Sequence, residues 1–396
     1  MRLLILELGY SAGTETVVVQ LARAWLPRVE HLILAAASRR HEEYLTRGLP
    51  TEVDFASLEW PSGGWRRANR VAARLAFRHR LSRLDRLLSD WRLADIAREH
   101  RATHVFVPCI FSVAPRRLPR PFGVMAMDLA WQHFPGGFPG RTRAWLDAQF
   151  TAWLEAADIV FPVSDSTTAE IGSVFPAYAA KLCSVPHGSA GPRALAPSAP
   201  ASPPVFFCPA SVTANKNHLL LLQACARLYR AGHDFKMVLT GRDTAALQSV
   251  TPHARPAIET PRAFFHEHRE LFAGRVVAPG FVSDQDIESL YATALRVVLP
   301  SAYEGFGLPL LEAFERGVPV ICSGIPPFRE QIARYAMNDL AAVVDPLDEV
   351  TLADAMAEAL SRPAPARPDA QTHRDLLTRW TWDHAAEAYL KALARA

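Results

Sequence analysis

The sequence predicts an α/β protein built from two doubly wound domains, each with a parallel sheet. Short apolar runs alternate with helical stretches along all 396 residues, and no long β-only stretch interrupts them. A segment rich in proline, alanine and serine, Ser189 to Pro204 (SAGPRALAPSAPASPP), separates two such series. With 49% hydrophobic residues, the chain is long enough to bury two cores.

In the first series, Leu3–Leu6, His31–Ala35, His104–Pro108, Phe122–Met127 and Ile159–Val163 read as buried strands. Helical patterns such as Thr16–Trp25 and Arg141–Ala156 lie between several of them. The second series repeats the theme with Val205–Cys208, Lys236–Thr240, Val276–Ala278, Arg296–Leu299 and Val318–Cys322. Its helices fall near Asn217–Ala231, Asp284–Ala294, Leu308–Arg316 and Leu352–Leu360. The expected domains are therefore 1–190 and 203–375. A last helical segment, 376–396, carries Leu377, Trp380 and Tyr389 at helical spacing and is expected to pack back on the first domain.

Composition narrows the function. The net charge of +3, from 43 basic and 40 acidic residues, carries no global polyanion signature, so nucleic acid would need a local patch. Five scattered cysteines without a C-x-x-C read as small buried hydrophobes in a reducing compartment. Met1–Leu6 meets Glu7 too soon for a signal-peptide core, and no apolar run approaches ~18 residues. The expectation is a soluble, cytoplasmic protein.

Open α/β sheets bind ligands beyond the carboxyl ends of their strands. The richest such stretch is Leu299 to Arg329, LPSAYEGFGLPLLEAFERGVPVICSGIPPFR. A strand ends at Pro300, a glycine-bearing loop follows, and Pro309 sits where a first helical turn accepts it. Gly305 and Gly307 let backbone approach a ligand, and the helix start offers unpaired N–H groups. Glu304 and Glu312 form E-x7-E across that loop. Carboxylates repel phosphate but orient hydroxyls well. Phosphate flanked by two hydroxyl-bearing groups describes a sugar nucleotide. Taken singly, Glu312 would only complement the helix dipole and Glu304 would be a solvated loop residue.

This stretch resembles the retaining, family 4 glycosyltransferases, whose GT-B architecture faces two Rossmann-like domains across a cleft. Asp158 to Gly188 is similar to the family segment that closes the first domain, and Gly280 to Leu299 to the run before the glutamate motif. The resemblance implies that Glu304 holds a donor-sugar hydroxyl and Glu312 the ribose. Backbone from Gly305, Phe306, Gly307 and Leu308 would line the sugar and phosphates. Gly241 and Val282 are further donor-side candidates.

Four other stretches carry candidates. In Cys208–Leu222 (CPASVTANKNHLLLL), Lys216 is one of only four lysines, in a strand-to-helix loop where a point cation suits a diphosphate leaving group. Many relatives add an arginine just before it, where Ala210 and Ser211 stand here. Ser211 remains a candidate contact. Gly9–Glu15 (GYSAGTE) is too short for a dinucleotide fingerprint and reads as a glycine turn capped by Thr14. The matching family loop approaches the donor phosphates through Gly13 and Thr14. In Met125–Pro135 (MAMDLAWQHFP), Met127 replaces the histidine that relatives place before Asp128. Asp128 stays a catalytic candidate, and His133 either supplies the missing imidazole or is structural. Asp284-Gln285-Asp286 follows Ser283 and opens a helix, so it caps that helix and is not a D-x-D metal motif.

Arg66, Arg70, Arg74 and Arg78 recur every fourth residue. They read either as a solvated basic face or as contact with an anionic membrane surface or lipid-diphosphate acceptor. The expected activity is retaining glycosyl transfer from a nucleotide-diphosphate sugar to a saccharide or lipid-linked hydroxyl, with no metal or other cofactor. The setting would be polysaccharide, lipopolysaccharide or glycolipid assembly. An epimerase or hydrolase of the same architecture, or a non-catalytic partner subunit that binds sugar nucleotide, are the alternatives.

Overall fold

The structure is a computed structural model that describes residues 1–8, 13–58, 92–110, 114, 118–134, 137–138, 140–193, 201–362 and 368–396. It divides into two compact units. One comprises Met1–Asp128, Ala144–Gly188 and Trp382–Ala396; the other comprises Leu129–Arg143 and Ser189–Thr381. Arg66, Arg70, Arg74 and Arg78 lie outside the described residues.

The first unit holds a six-stranded parallel sheet of order β3-β2-β1-β4-β5-β6. Its strands are β1 (Arg2–Leu6), β2 (His31–Ala36), β3 (Asp54–Ser57), β4 (His104–Val107), β5 (Phe122–Ala126) and β6 (Ile159–Pro162). Central β1 is an uninterrupted apolar run, Leu3 to Leu6, with no exposed surface, as a strand covered on both faces requires. Edge strand β3 has only one buried residue in four, which is why no apolar run marks it in the sequence.

The helix Thr14–Trp25 follows β1, with Gly13 at φ +91° as its N-cap and no side-chain cap. Thr14 is thus the first helical residue, and the glycine, not the threonine, makes the turn. The final helix, Trp382–Leu393, packs on this one. Trp25 donates from Nε1 to the Ala386 carbonyl at 3.1 Å, and Tyr389 meets Trp25, Phe106 and Phe161 edge-on at 4.7–5.8 Å. Arg28 pairs with Asp383 at 2.7 Å on the rim.

The second unit repeats the plan with order β12-β11-β10-β7-β8-β9. Its strands are β7 (Val205–Pro209), β8 (Lys236–Thr240), β9 (Val276–Gly280), β10 (Ala294–Leu299), β11 (Val320–Ser323) and β12 (Ala341–Val344), all parallel. Read from β9, this is the 3-2-1-4-5-6 winding, whose direction reverses between β7 and β10. Edge strand β12 was also invisible in the sequence, because its residues AAVV leave only Val344 buried.

Near the linker, Ser189 donates its N–H to the Trp380 carbonyl at 3.0 Å, so the second unit runs to Thr381 and not to 375. It also takes in Leu129–Arg143, a segment the sequence assigned to the first domain. The Leu129 amide donates to the Tyr303 hydroxyl at 2.8 Å, an attachment no local pattern reveals. No helix of the described residues is long and apolar enough to cross a membrane.

Candidate functional site

The two loops at the winding reversal of the second sheet carry the site. One leaves β7 at Pro209 and reaches the helix His218–Arg230; the other leaves β10 at Leu299 and reaches the helix Leu308–Glu315. Asn215 ties them together. Its side-chain amide donates to the Tyr303 carbonyl at 3.0 Å, while its own carbonyl accepts from the Ala302 amide at 2.8 Å. This clamp brings Lys216 and Glu304 side by side.

Lys216 donates to Glu304 Oε1, and Ser301, itself 2% exposed, donates to the same oxygen at 2.7 Å. Both charged side chains are mostly buried, at 18% and 9% exposure. A buried pair of this kind offsets its desolvation only when hydrogen bonds complete it, and Ser301 does so. The lysine keeps two further N–H donors for an incoming anion.

Gly307, at φ +90°, is the N-cap of Leu308–Glu315, with Pro309 in the first turn and no side-chain cap. Buried Gln331 donates from Nε2 to the Phe306 carbonyl at 2.6 Å and holds the loop from behind. The helix therefore presents an uncapped, electropositive start. One helical stretch further, Glu312 Oε2 accepts from the Tyr291 hydroxyl at 3.1 Å. Burial first, and the Glu312 charge second, raise the Tyr291 phenol well above its ordinary range, so it stays a proton donor. Arg316 lies 4.3 Å over the Tyr291 ring and pairs with Glu288.

At the ends of β7, β8 and β9, Gly241, Ser211 and Gly280 converge. The Gly241 amide donates to the Gly280 carbonyl at 2.9 Å, and a Cβ on Gly241 would sit 3.0 Å from the Ala210 and Ser211 backbone. Only glycine allows that approach at φ +126°. Val282 follows two residues after Gly280, beyond the 75%-exposed Phe281. Ser283 and Asp286 form a reciprocal capping box, as the helix-start reading of Asp284-Gln285-Asp286 expects.

His133 stacks on Tyr303, with centroids 4.5 Å apart and planes at 30°, which sets it beside the Glu304 loop. It also lines a cavity of about 440 Å³ with Phe134, Thr213, Asn217, His218 and Thr260. Burial lowers the His218 imidazole to about 4, so that side chain is neutral. Asp128, Gly13 and Thr14 belong to the first unit, where Asp128 is its last residue before the chain enters the second. The contributions of Ser301, Asn215, Tyr303, Tyr291 and Gln331 were not read from the sequence. Ser301 and Asn215 lie within three residues of Glu304 and Lys216 and carry a local signal; Tyr291 and Gln331 arrive from distant elements and leave none.

Two parallel six-stranded sheets of one winding are the architecture of the GT-B class of fold. Residues 196–374 match the family model "Glycosyl transferases group 1". O-antigen chain mannosyltransferase B of Escherichia coli is 48% identical over 69 residues, 17% of this chain and 17% of that one. This chain thus matches less than a fifth of that relative's length. Among solved structures, sucrose-phosphate synthase from Thermosynechococcus elongatus superimposes with TM-score 0.68 at 15% identity, over 100% of both chains. The Anabaena protein HepE in complex with UDP gives 0.65 at 15%, again over 100% of both. At that identity the likeness is one of fold.

Proposed function

We propose that the protein is a retaining glycosyltransferase that moves a sugar from a nucleotide-diphosphate donor to a saccharide or lipid-linked hydroxyl, without a metal. The observation that carries this reading is the Lys216–Glu304–Ser301 cluster at the uncapped start of Leu308–Glu315. A diphosphate leaving group gains negative charge as the glycosidic bond breaks. An ammonium and a helix start, fixed beforehand, stabilise that charge without reorganising. That set needs no divalent cation to complete it.

Glu304, with one oxygen occupied by Lys216 and Ser301, keeps Oε2 to accept from a donor-sugar hydroxyl. Glu312, steadied by Tyr291, accepts from the ribose in this reading. Glu304 is not a glycosidase-style nucleophile, because such enzymes set two carboxylates across one bond. The departing phosphate takes up the acceptor proton on the same face, which yields retention. Mannosyl transfer in O-antigen or related polysaccharide assembly is the favoured setting, on the similarity to the O-antigen mannosyltransferase.

The test incubates the chain with GDP-mannose, UDP-glucose and UDP-galactose, each with and without mannoside acceptors and EDTA. Sugar transfer that needs an acceptor, survives EDTA and keeps the anomeric configuration supports the reading. Nucleotide release without an acceptor points to the hydrolase or epimerase. Donor binding without turnover points to a partner subunit, the reading that Met127 in the histidine position would favour.

A further inference from the structure

At the amino-terminal ends of strands in the first sheet, three side chains converge that no part of the transfer chemistry uses. His31 is the first residue of β2, Asp54 the first of β3, and His100 directly follows the helix over 92–99. Asp54 Oδ2 lies 2.8 Å from His31 Nε2 and 3.9 Å from His100 Nδ1. One ligand-capable atom from each of the three lies within 4.8 Å of the others. We propose that these residues form a binding site for a divalent transition-metal ion, zinc above all.

The geometry goes beyond an ordinary ion pair. His31 alone satisfies the Asp54 oxygen, and His100 at 3.9 Å is past hydrogen-bond reach, so the second imidazole faces the carboxylate across a gap. Metal bonds of about 2.0–2.2 Å set tetrahedral ligand atoms about 3.4 Å apart. The two separations from Asp54 fall on either side of that value, and the two imidazoles lie nearly parallel, at 24° with centroids 6.4 Å apart and ligand atoms within 4.8 Å, so side-chain rotation that draws the rings together completes the site. Two imidazole nitrogens and one carboxylate oxygen suit zinc, nickel or cobalt and disfavour magnesium and calcium, which take oxygen ligands. All three side chains are partly exposed, which leaves a path for the ion and a position for water.

The surrounding structure holds the ligands in place. Arg2, from β1, donates from Nε and Nη2 to the His100 carbonyl at 3.1 and 3.0 Å. Its own charge is paired with Glu30 at 3.0 Å, which lessens its repulsion of a nearby cation. An ion here would join β2, β3 and the 92–99 helix, and so brace the weak edge strand β3 from its start. The site lies within the first unit, at the amino-terminal ends of β2 and β3, and shares no residue with the transfer site proposed above.

The test uses the tag-free full chain, stripped with EDTA and dialysed. Zinc chloride is titrated by calorimetry, and cobalt(II) is followed by its visible absorption. The expected result is one zinc per chain, tetrahedral cobalt bands, and a higher unfolding temperature with zinc. His31→Ala, His100→Ala and Asp54→Asn should each weaken zinc binding at least tenfold and abolish the cobalt bands, with unchanged circular dichroism. No zinc uptake at micromolar concentration overturns the proposal. So does uptake that persists undiminished in His31→Ala and His100→Ala, since the ion would then sit elsewhere.

Discussion

The ammonium of Lys216 and the carboxylate of Glu304 close on one another across 88 residues of chain. The pair exists because β7 and β10 are neighbours in the sheet, with Phe207 opposite Val297, so the loops that leave them start side by side. Each residue sets the other's position before any ligand arrives. The consequences are measurable one residue at a time.

Lys216→Ala removes the cation held at the proposed diphosphate position. Nucleoside-diphosphate binding should weaken by ~1.5–3 kcal/mol, the worth of a charge-assisted hydrogen bond. Calorimetry with GDP and UDP reads this directly. Affinity equal to wild type would remove Lys216 from the phosphate site.

Glu304→Ala should lower turnover on the order of 10²-fold or more, because it takes away the group proposed to position the donor sugar in the transition state. Nucleotide-diphosphate affinity should fall far less than turnover, since the freed Lys216 can still meet the phosphates. A near-normal rate would refute the assignment.

Gly307→Ala should unfold the motif loop locally. Its φ of +90° disfavours any side chain, and the new Cβ would lie 2.3 Å from Phe328 Cε1. The cost is on the order of 2 kcal/mol or more, from overpacking and backbone strain together. Urea denaturation measures it. Phe328→Leu alongside should recover part of the loss but not the share due to φ.

Glu315 adds a pH dependence. Burial, only partly opposed by the hydrogen bond from the Ala190 amide at 2.6 Å, raises its carboxyl to about 7. Between pH 4.5 and 7 the folded chain therefore keeps a proton that the unfolded chain releases. Stability falls as pH rises through that window and levels off above it. Glu315→Gln keeps the acceptor for Ala190 and abolishes the buried charge. Its advantage over wild type should grow on the order of 3 kcal/mol from pH 4.5 to 8. A difference in urea midpoint that stays constant across that range would disprove it.

Sequence legibility tracks how locally each feature is encoded. Central strands such as Leu3–Leu6 and Arg296–Leu299 are legible because burial on both faces demands unbroken apolar runs. Edge strands β3 and β12 face solvent and carry no such run. The glycine–proline helix start after Glu304 is legible because φ +90° at Gly307 and the missing N–H of Pro309 are properties of those residues alone. The capping box at Ser283 and Asp286 is local too, formed by residues three apart.

Strand burial, turn conformation and capping act within a few residues, so two α/β units, their strand-to-helix loops and the residue types at the ends of β7 and β10 are written locally in the chain. Which loops meet is settled by long-range packing. Sheet winding put Lys216 against Glu304, Tyr303 carried Leu129–Arg143 into the second unit, and Trp25 and Phe106 claimed Tyr389 for the first. It also gathered His31, Asp54 and His100 at one sheet edge. Those contacts join residues 23 to 364 positions apart, and at such separations it is packing, not chain propensity, that selects partners.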